Sequence, residues 1–148
     1  MAARRAKADH VAEQLIAEMR HNKYEVQDCD IEYILSVWGF DTNHSRTSVM
    51  PSGTTWVHSD TLGMIRYRNT AVELAPPSVD YPFVTMALVA WMRGKIDFDF
   101  PCTSISVNKN YAGKIHRDAF NAGPSALLAL GDLRGPAWLL ARRRSCYR

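Results

Sequence analysis

Cysteine is scarce: Cys29, Cys102 and Cys146 are odd in number, far apart, and nowhere spaced as CxxC. Neither a disulfide framework nor a thiolate zinc site is suggested, and a reducing, intracellular compartment is the expectation, with the compartment itself left open. Long apolar runs are lacking too. The longest, around Phe83 to Met92, is interrupted by Thr85 and falls well short of the roughly 20 residues that a membrane-spanning helix takes, so no membrane partner is expected. The charged start Met1-Ala-Ala-Arg-Arg-Ala-Lys is not followed by an apolar stretch, because Asp9, His10, Glu13 and Gln14 intervene at once, and no secretory signal is read. Internal repeats and low-complexity segments are also missing. So is a strong charge imbalance: the net charge is +3, and removing Arg142, Arg143, Arg144 and Arg148 of the tail turns +3 into −1. A nucleic-acid partner is therefore unsupported beyond the basic tail.

What is present fits one globular domain. A length of 148 residues with 47% hydrophobic composition provides enough apolar material for a core. The expected division is a helical and mixed part over 1–95, a β core over 96–135 and a divergent basic tail over 136–148.

Residues from about Arg5 to His21 set Val11, Leu15, Ile16 and Met19 at helical spacing among charged neighbours, which predicts an amphipathic helix. A second short helix is expected from Asp30, where Ile31, Ile34, Leu35 and Trp38 recur at i, i+3, i+4 and i+7 and Gly39 ends it. From Asp41 to Gly63 the abundance of Ser, Thr, Asn, Asp and Gly predicts loops around short strands. Leu62 to Leu74 contains the strand formers Ile65, Tyr67 and Val72. After Pro76-Pro77, Ser78 or Asp80 is placed to cap a helix carrying Val84, Leu88 and Trp91 and ending near Gly94. Phe98, Phe100 and then Thr103 to Val107 return to a β pattern, with Ile105 and Val107 on one face and Ser104 and Ser106 on the other.

The stretch richest in chemistry follows: Asn108-Lys-Asn110, then His116-Arg-Asp118, then Asn121-Ala-Gly-Pro-Ser125, then the apolar run Leu127-Leu-Ala-Leu130 and Gly131-Asp132. In extended backbone, residues i and i+2 point to the same side. His116 and Asp118 therefore present an imidazole and a carboxylate to one point while Arg117 faces away. That is two thirds of the facial set by which non-haem Fe(II) oxygenases hold iron with open positions left over. Asn108, Asn110, Asn121 and Ser125 are candidates for hydrogen-bonding the metal ligands or a substrate, since an amide donates and accepts at once. The plain alternative for each Asn is turn stabilisation, and Lys109 and Lys114 read as solvated.

Taken together, the motif resembles the start of the double-stranded β-helix in 2-oxoglutarate and Fe(II)-dependent dioxygenases of the TET/JBP-like branch. There the pattern runs HxDxxNxGxS, then an apolar strand, then a Gly-x-x-x-Gly-Gly turn. The resemblance covers about Phe100 to Gly135, roughly a quarter of the chain. It implies an α+β fold in which N-terminal helices flank an incomplete double-stranded β-helix of jelly-roll, cupin-like type. It also implies His116 and Asp118 as ligands of Fe(II), 2-oxoglutarate as co-substrate, and an oxidoreductase that hydroxylates a C–H bond while 2-oxoglutarate yields succinate and CO₂. The substrate stays open, because a fold does not fix it.

The same pattern calls for a distal His and a carboxylate-binding Arg several strands later. No His follows His116, and Pro136 stands where the family has Gly. A truncated version of the family's domain, with activity in doubt, is accordingly the expectation. His10, His21, His44 and His58 all lie outside the resembling stretch; His44 and His58 are the ones considered as a substitute third ligand. The alternative from another class is a non-catalytic interaction domain derived from the same fold, in which HxD is structural and exposed strand edges pair with another chain or a second copy.

Overall fold

In a computed structural model the chain is described over residues 1–66, 71–96, 100–110, 113–114 and 125–131. The first helix, α1 (Ala2–Asn22), ends at Lys23 in the left-handed conformation. Its buried stripe is Arg5, Ala8, Ala12, Leu15 and Ile16, with Val11 and Met19 at the margin. The alanines are fully buried. Small side chains at these positions let neighbouring helices approach closely, so the seam is narrower and less apolar than the Val11 to Met19 pattern alone implied.

Helix α2 (Asp28–Val37) begins two residues before Asp30, because Gln27 and Asp30 form a capping box with Asp30 at its third position. Its Ile31 and Ile34 are completely buried, and Trp38 follows them into the core. Gly39 does not end the helix by a left-handed cap. It makes room instead: a Cβ there would lie 3.0 Å from the Met1 carbonyl oxygen, so its small size lets the start of α1 cross the chain after α2.

Beyond Pro76-Pro77 two helices stand where one was expected, α3 (Pro76–Asp80) and α4 (Pro82–Lys95). The break is at Tyr81 (φ −136°, ψ 66°), since the ring of Pro82 bars the residue before it from helical angles. Neither Ser78 nor Asp80 caps α4. The Ser78 hydroxyl accepts from the Gly63 N–H at 2.7 Å and meets Thr85 Oγ1 at 3.0 Å, tying α3 to the sheet and to α4. The first turn of α4 is satisfied from a distance, by Asp9 of α1, whose Oδ1 accepts from the Val84 N–H at 3.0 Å. Val84, Ala87, Leu88 and Trp91 then face α1 and α2 in one core. At the far end Trp91 Nε1 donates to Asp28 Oδ1 at 2.8 Å, and Lys95 Nζ pairs with the same oxygen at 2.8 Å. These two partners, Lys95 first, hold the Asp28 carboxyl below its ordinary pKa.

Four antiparallel strands complete the described fold: β1 (Thr42–Asn43), β2 (Val57–Ile65), β3 (Glu73–Leu74) and β4 (Ser104–Lys109). Every other strand pairs with β2, and β4 runs along it from His58↔Lys109 to Gly63↔Ser104. Of the loops and short strands expected up to Gly63, the short strand β1 is found, but β2 is longer than expected, nine residues starting at Val57. Its pattern is masked in the sequence by Ser59 and Asp60, both polar and both buried. Leu62 and Val107 join the helical core and Ile105 packs against it, so the face of the sheet bearing Leu62, Ile105 and Val107 is the helix-covered one. The opposite face is left to Ser59, Thr61, Ser104, Ser106 and Asn108.

The run Leu127 to Leu130, expected as a strand, pairs with no other strand among the described residues. It keeps a two-residue alternation all the same: Leu128 and Leu130 pack against the core while Leu127 is 65% exposed. Gly131, at φ +84°, fixes the end of this segment by donating its N–H to Glu32 Oε1 at 2.9 Å. The architecture is thus a mixed helical and antiparallel-sheet fold, α+β as expected. No helix among the described residues is long and apolar enough to cross a membrane. Phe98, Tyr67 and the tail over 136–148 lie outside the described residues.

Candidate functional site

Strand β4 leads toward the candidate metal ligands. Its Val107 is buried on the inward side, and the next residue, Asn108, turns to the opposite face, directly across from Ser59. Asn108 Oδ1 accepts from Ser59 Oγ at 2.8 Å and from Arg46 Nη1 at 3.3 Å. Arg46 Nη2 extends to Ser106 Oγ, two residues along the same face, at 3.3 Å. Ser59 is only 3% exposed, so its hydroxyl needs the Asn108 oxygen as a partner, and the pair locks β2 to β4 through side chains as well as backbone.

Asn110 ends the strand at φ 48°. Among residues with a Cβ, Asn tolerates that left-handed conformation best, which accounts for it as a turn residue; its side chain is exposed. Ser125 is exposed as well. Between them the Lys114 N–H donates to the Val49 carbonyl at 2.9 Å. His116, Asp118 and Asn121 lie outside the described residues.

The two histidines considered as a third ligand are both engaged with backbone. His44 Nδ1 lies 3.1 Å from the Thr55 carbonyl oxygen and His58 Nδ1 lies 3.3 Å from that of Asp41, so each ring uses Nδ1 as a donor. His58 also stacks edge-on against Trp56 with centroids 4.9 Å apart. Being paired with Lys109, it stands on the helix side of the sheet, away from Asn108. His10 and His21 are surface residues of α1, the first beside Glu13 and the second bonded to the Ala17 carbonyl. Among the described residues no group of three or more His, Cys, Asp and Glu side chains is positioned to hold a metal ion. The HxD pair would supply one nitrogen and one oxygen donor, a set that suits Fe(II) in kind.

Sequence reasoning missed one polar centre entirely. Arg5 Nη2 donates to Asp60 Oδ1 at 2.8 Å and Arg5 Nε to the Gly39 carbonyl at 2.8 Å, while the guanidinium sits 4.8 Å from the centroid of the Trp38 ring. Asp60 Oδ2 takes Trp38 Nε1 at 2.9 Å and the Asp41 N–H at 3.3 Å. All three side chains are buried and fully matched, so the group acts as a clamp between α1, α2 and β2. An arginine early in a helix and an aspartate in a polar stretch carry no spacing that would have announced them as partners. Arg46 was overlooked for the same reason: it lies in a Ser- and Thr-rich loop far in sequence from the strand it touches.

Compared with known proteins, the chain matches no protein-family model, no curated protein and no solved structure.

Proposed function

We propose that the chain is a 2-oxoglutarate/Fe(II) dioxygenase-like domain whose HxD pair, His116 and Asp118, holds the metal, and whose sheet is the beginning of a double-stranded β-helix. The reading stands on the motif from Asn108 to Gly135 and is supported by one geometric observation. Two residues ahead of His116 the chain is pinned by the Lys114 N–Val49 O bond. Val49 belongs to the loop over 44–56, and Arg46 of that loop lies across Ser106 and Asn108. The approach to HxD and the polar, helix-free sheet face thus share one supporting loop. Helices on one face and hydrogen-bonding groups on the other suit a site that must exclude water from its back while presenting polar groups at its front.

When bound, Fe(II) with 2-oxoglutarate would supply O₂-dependent hydroxylation of a C–H bond. The protein's own contribution falls to a few groups. His116 would hold the metal as neutral imidazole and Asp118 as carboxylate. The Ser59–Asn108 pair fixes the last turn of β4 and so the direction from which the chain approaches the ligands. With two protein ligands a divalent metal would be held weakly, which leaves the HxD pair dependent on added ligand for affinity.

Mn(II) is a suitable paramagnetic probe of the location. Substoichiometric Mn(II) is expected to broaden the amide resonances of Asn108, Lys114 and Ser125 ahead of those in α1 and α4. Broadening confined to the acidic residues of the helices would contradict the assignment.

A further inference from the structure

The face of the sheet turned away from the core is rich in hydrogen-bond donors. Ser59 and Thr61 of β2 and Ser104, Ser106 and Asn108 of β4 occupy it by alternation. Arg46 reaches over them from the loop. Its two contacts, 3.3 Å each to Asn108 Oδ1 and Ser106 Oγ, are at or beyond the long end for an N–H···O bond, and both acceptors are neutral. Elsewhere in the molecule arginine is matched differently: Arg5 has Asp60 and Asp41, and Arg4 spends its guanidinium on the Val37 and Ser36 carbonyls. No ion pair joins Arg46 to a carboxylate among the described residues.

The acceptor side of Asn108 is also used up. Its Oδ1 already receives Ser59 Oγ and Arg46 Nη1, so what the Asn108 amide has to offer a ligand is its N–H donors. A guanidinium has five N–H donors, of which Ser106 and Asn108 account for two. The surface therefore offers one fixed positive charge, the remaining guanidinium N–H groups, an amide NH₂ and the Ser106 hydroxyl. An apolar group would leave these donors unpaired. An oxyanion answers all of them, and the planar fork of an arginine is the side chain best shaped for two oxygens at once.

We infer that Arg46, with Ser106 and Asn108, forms a binding site for a small oxyanion, carboxylate or phosphate. This goes beyond the metal reading and does not depend on it, because none of the three residues is a proposed metal ligand. Being open to solvent, the site binds weakly and its affinity falls with salt.

The test is an amide NMR titration of the full chain in metal-free, low-salt buffer, with succinate in one arm and inorganic phosphate in the other. The expected result is a saturable shift centred on Ser106 and Asn108 in at least one arm, the tighter arm identifying the anion. Arg46→Gln is expected to weaken binding about tenfold or more, in line with loss of a charge-assisted bond. Arg46→Lys, which keeps the charge and loses the fork, is expected to fall between. Arg20→Gln, on the exposed side of α1, removes the same charge elsewhere and is expected to change nothing. No saturable shift with either anion, or an equal loss in the Arg20 and Arg46 variants, would overturn the inference. Since no metal is present, neither result bears on His116 and Asp118.

Discussion

Arg5 of α1 and Asp60 of β2 form an ion pair at 2.8 Å with side-chain exposures of 10% and 4%. Such a pair offsets a large desolvation cost only while both members stay, and the Trp38 indole N–H and the Gly39 carbonyl complete it. Removing Arg5 strands Asp60, and removing Asp60 leaves Arg5 only the longer contact to the more exposed Asp41 at 3.4 Å. Arg5→Met and Asp60→Leu are each expected to lower unfolding free energy by about 3–5 kcal/mol. The double variant is expected to lose clearly less than the sum, because no charge is then left unpaired. Urea denaturation of the four proteins measures both quantities, and strictly additive losses would show that the two residues act independently.

That clamp also marks where reading from residues ran out. The helical stripes of α1, α2 and α4 and the alternation in β4 were readable, since apolar side chains at a fixed period have one economical solution, a shared core. Strand β2 was not, because Ser59 and Asp60 look like loop residues until their partners Asn108, Arg5 and Trp38 arrive from 49, 55 and 22 positions away. The Tyr81 break was in principle readable from Pro82. Asn108 came into view through its place before HxD, whereas its tie to Arg46 depends on a loop closure that no local pattern encodes. His116, Asp118 and Asn121 stand on motif chemistry alone.

Asp9 gives a pH-dependent prediction. Burial, the largest influence, raises its carboxyl above the ordinary pKa, and the N–H groups of Val84 and Phe83 only partly counter this. The folded protein therefore binds a proton on Asp9 more readily than the unfolded chain does, and this group's contribution to stability falls as pH rises through the raised folded value. Asp9→Asn keeps an acceptor for the Val84 N–H and sheds the buried charge. It is expected to be neutral or stabilising at pH 7 and to flatten the stability profile on the high side of the ordinary carboxylate pKa. Asp9→Ala leaves the first turn of α4 without that acceptor and is expected to cost about 1 kcal/mol. Thermal melts between pH 4 and 7 check both; a larger loss for Asn than for Ala would contradict the cap.

Gly63 is tested by one added methyl. It sits at φ +89°, and a Cβ there would lie 2.5 Å from the Thr103 carbonyl oxygen, which also accepts the Met64 N–H at 2.7 Å. Gly63→Ala is expected to destabilise the fold by about 2 kcal/mol or more, combining left-handed strain with displacement of β4. Amide exchange should then quicken first at Ser104 to Val107. Wild-type protection of those amides in the variant would mean the strands do not approach so closely.

The central claim is that His116 and Asp118 hold a divalent metal, and anaerobic Mn(II) titration followed by EPR measures it most directly. The wild-type chain is expected to show a weak, saturable site that tightens when 2-oxoglutarate is added, and His116→Ala and Asp118→Ala are each expected to abolish it. Unchanged Mn(II) affinity in both variants would contradict the account.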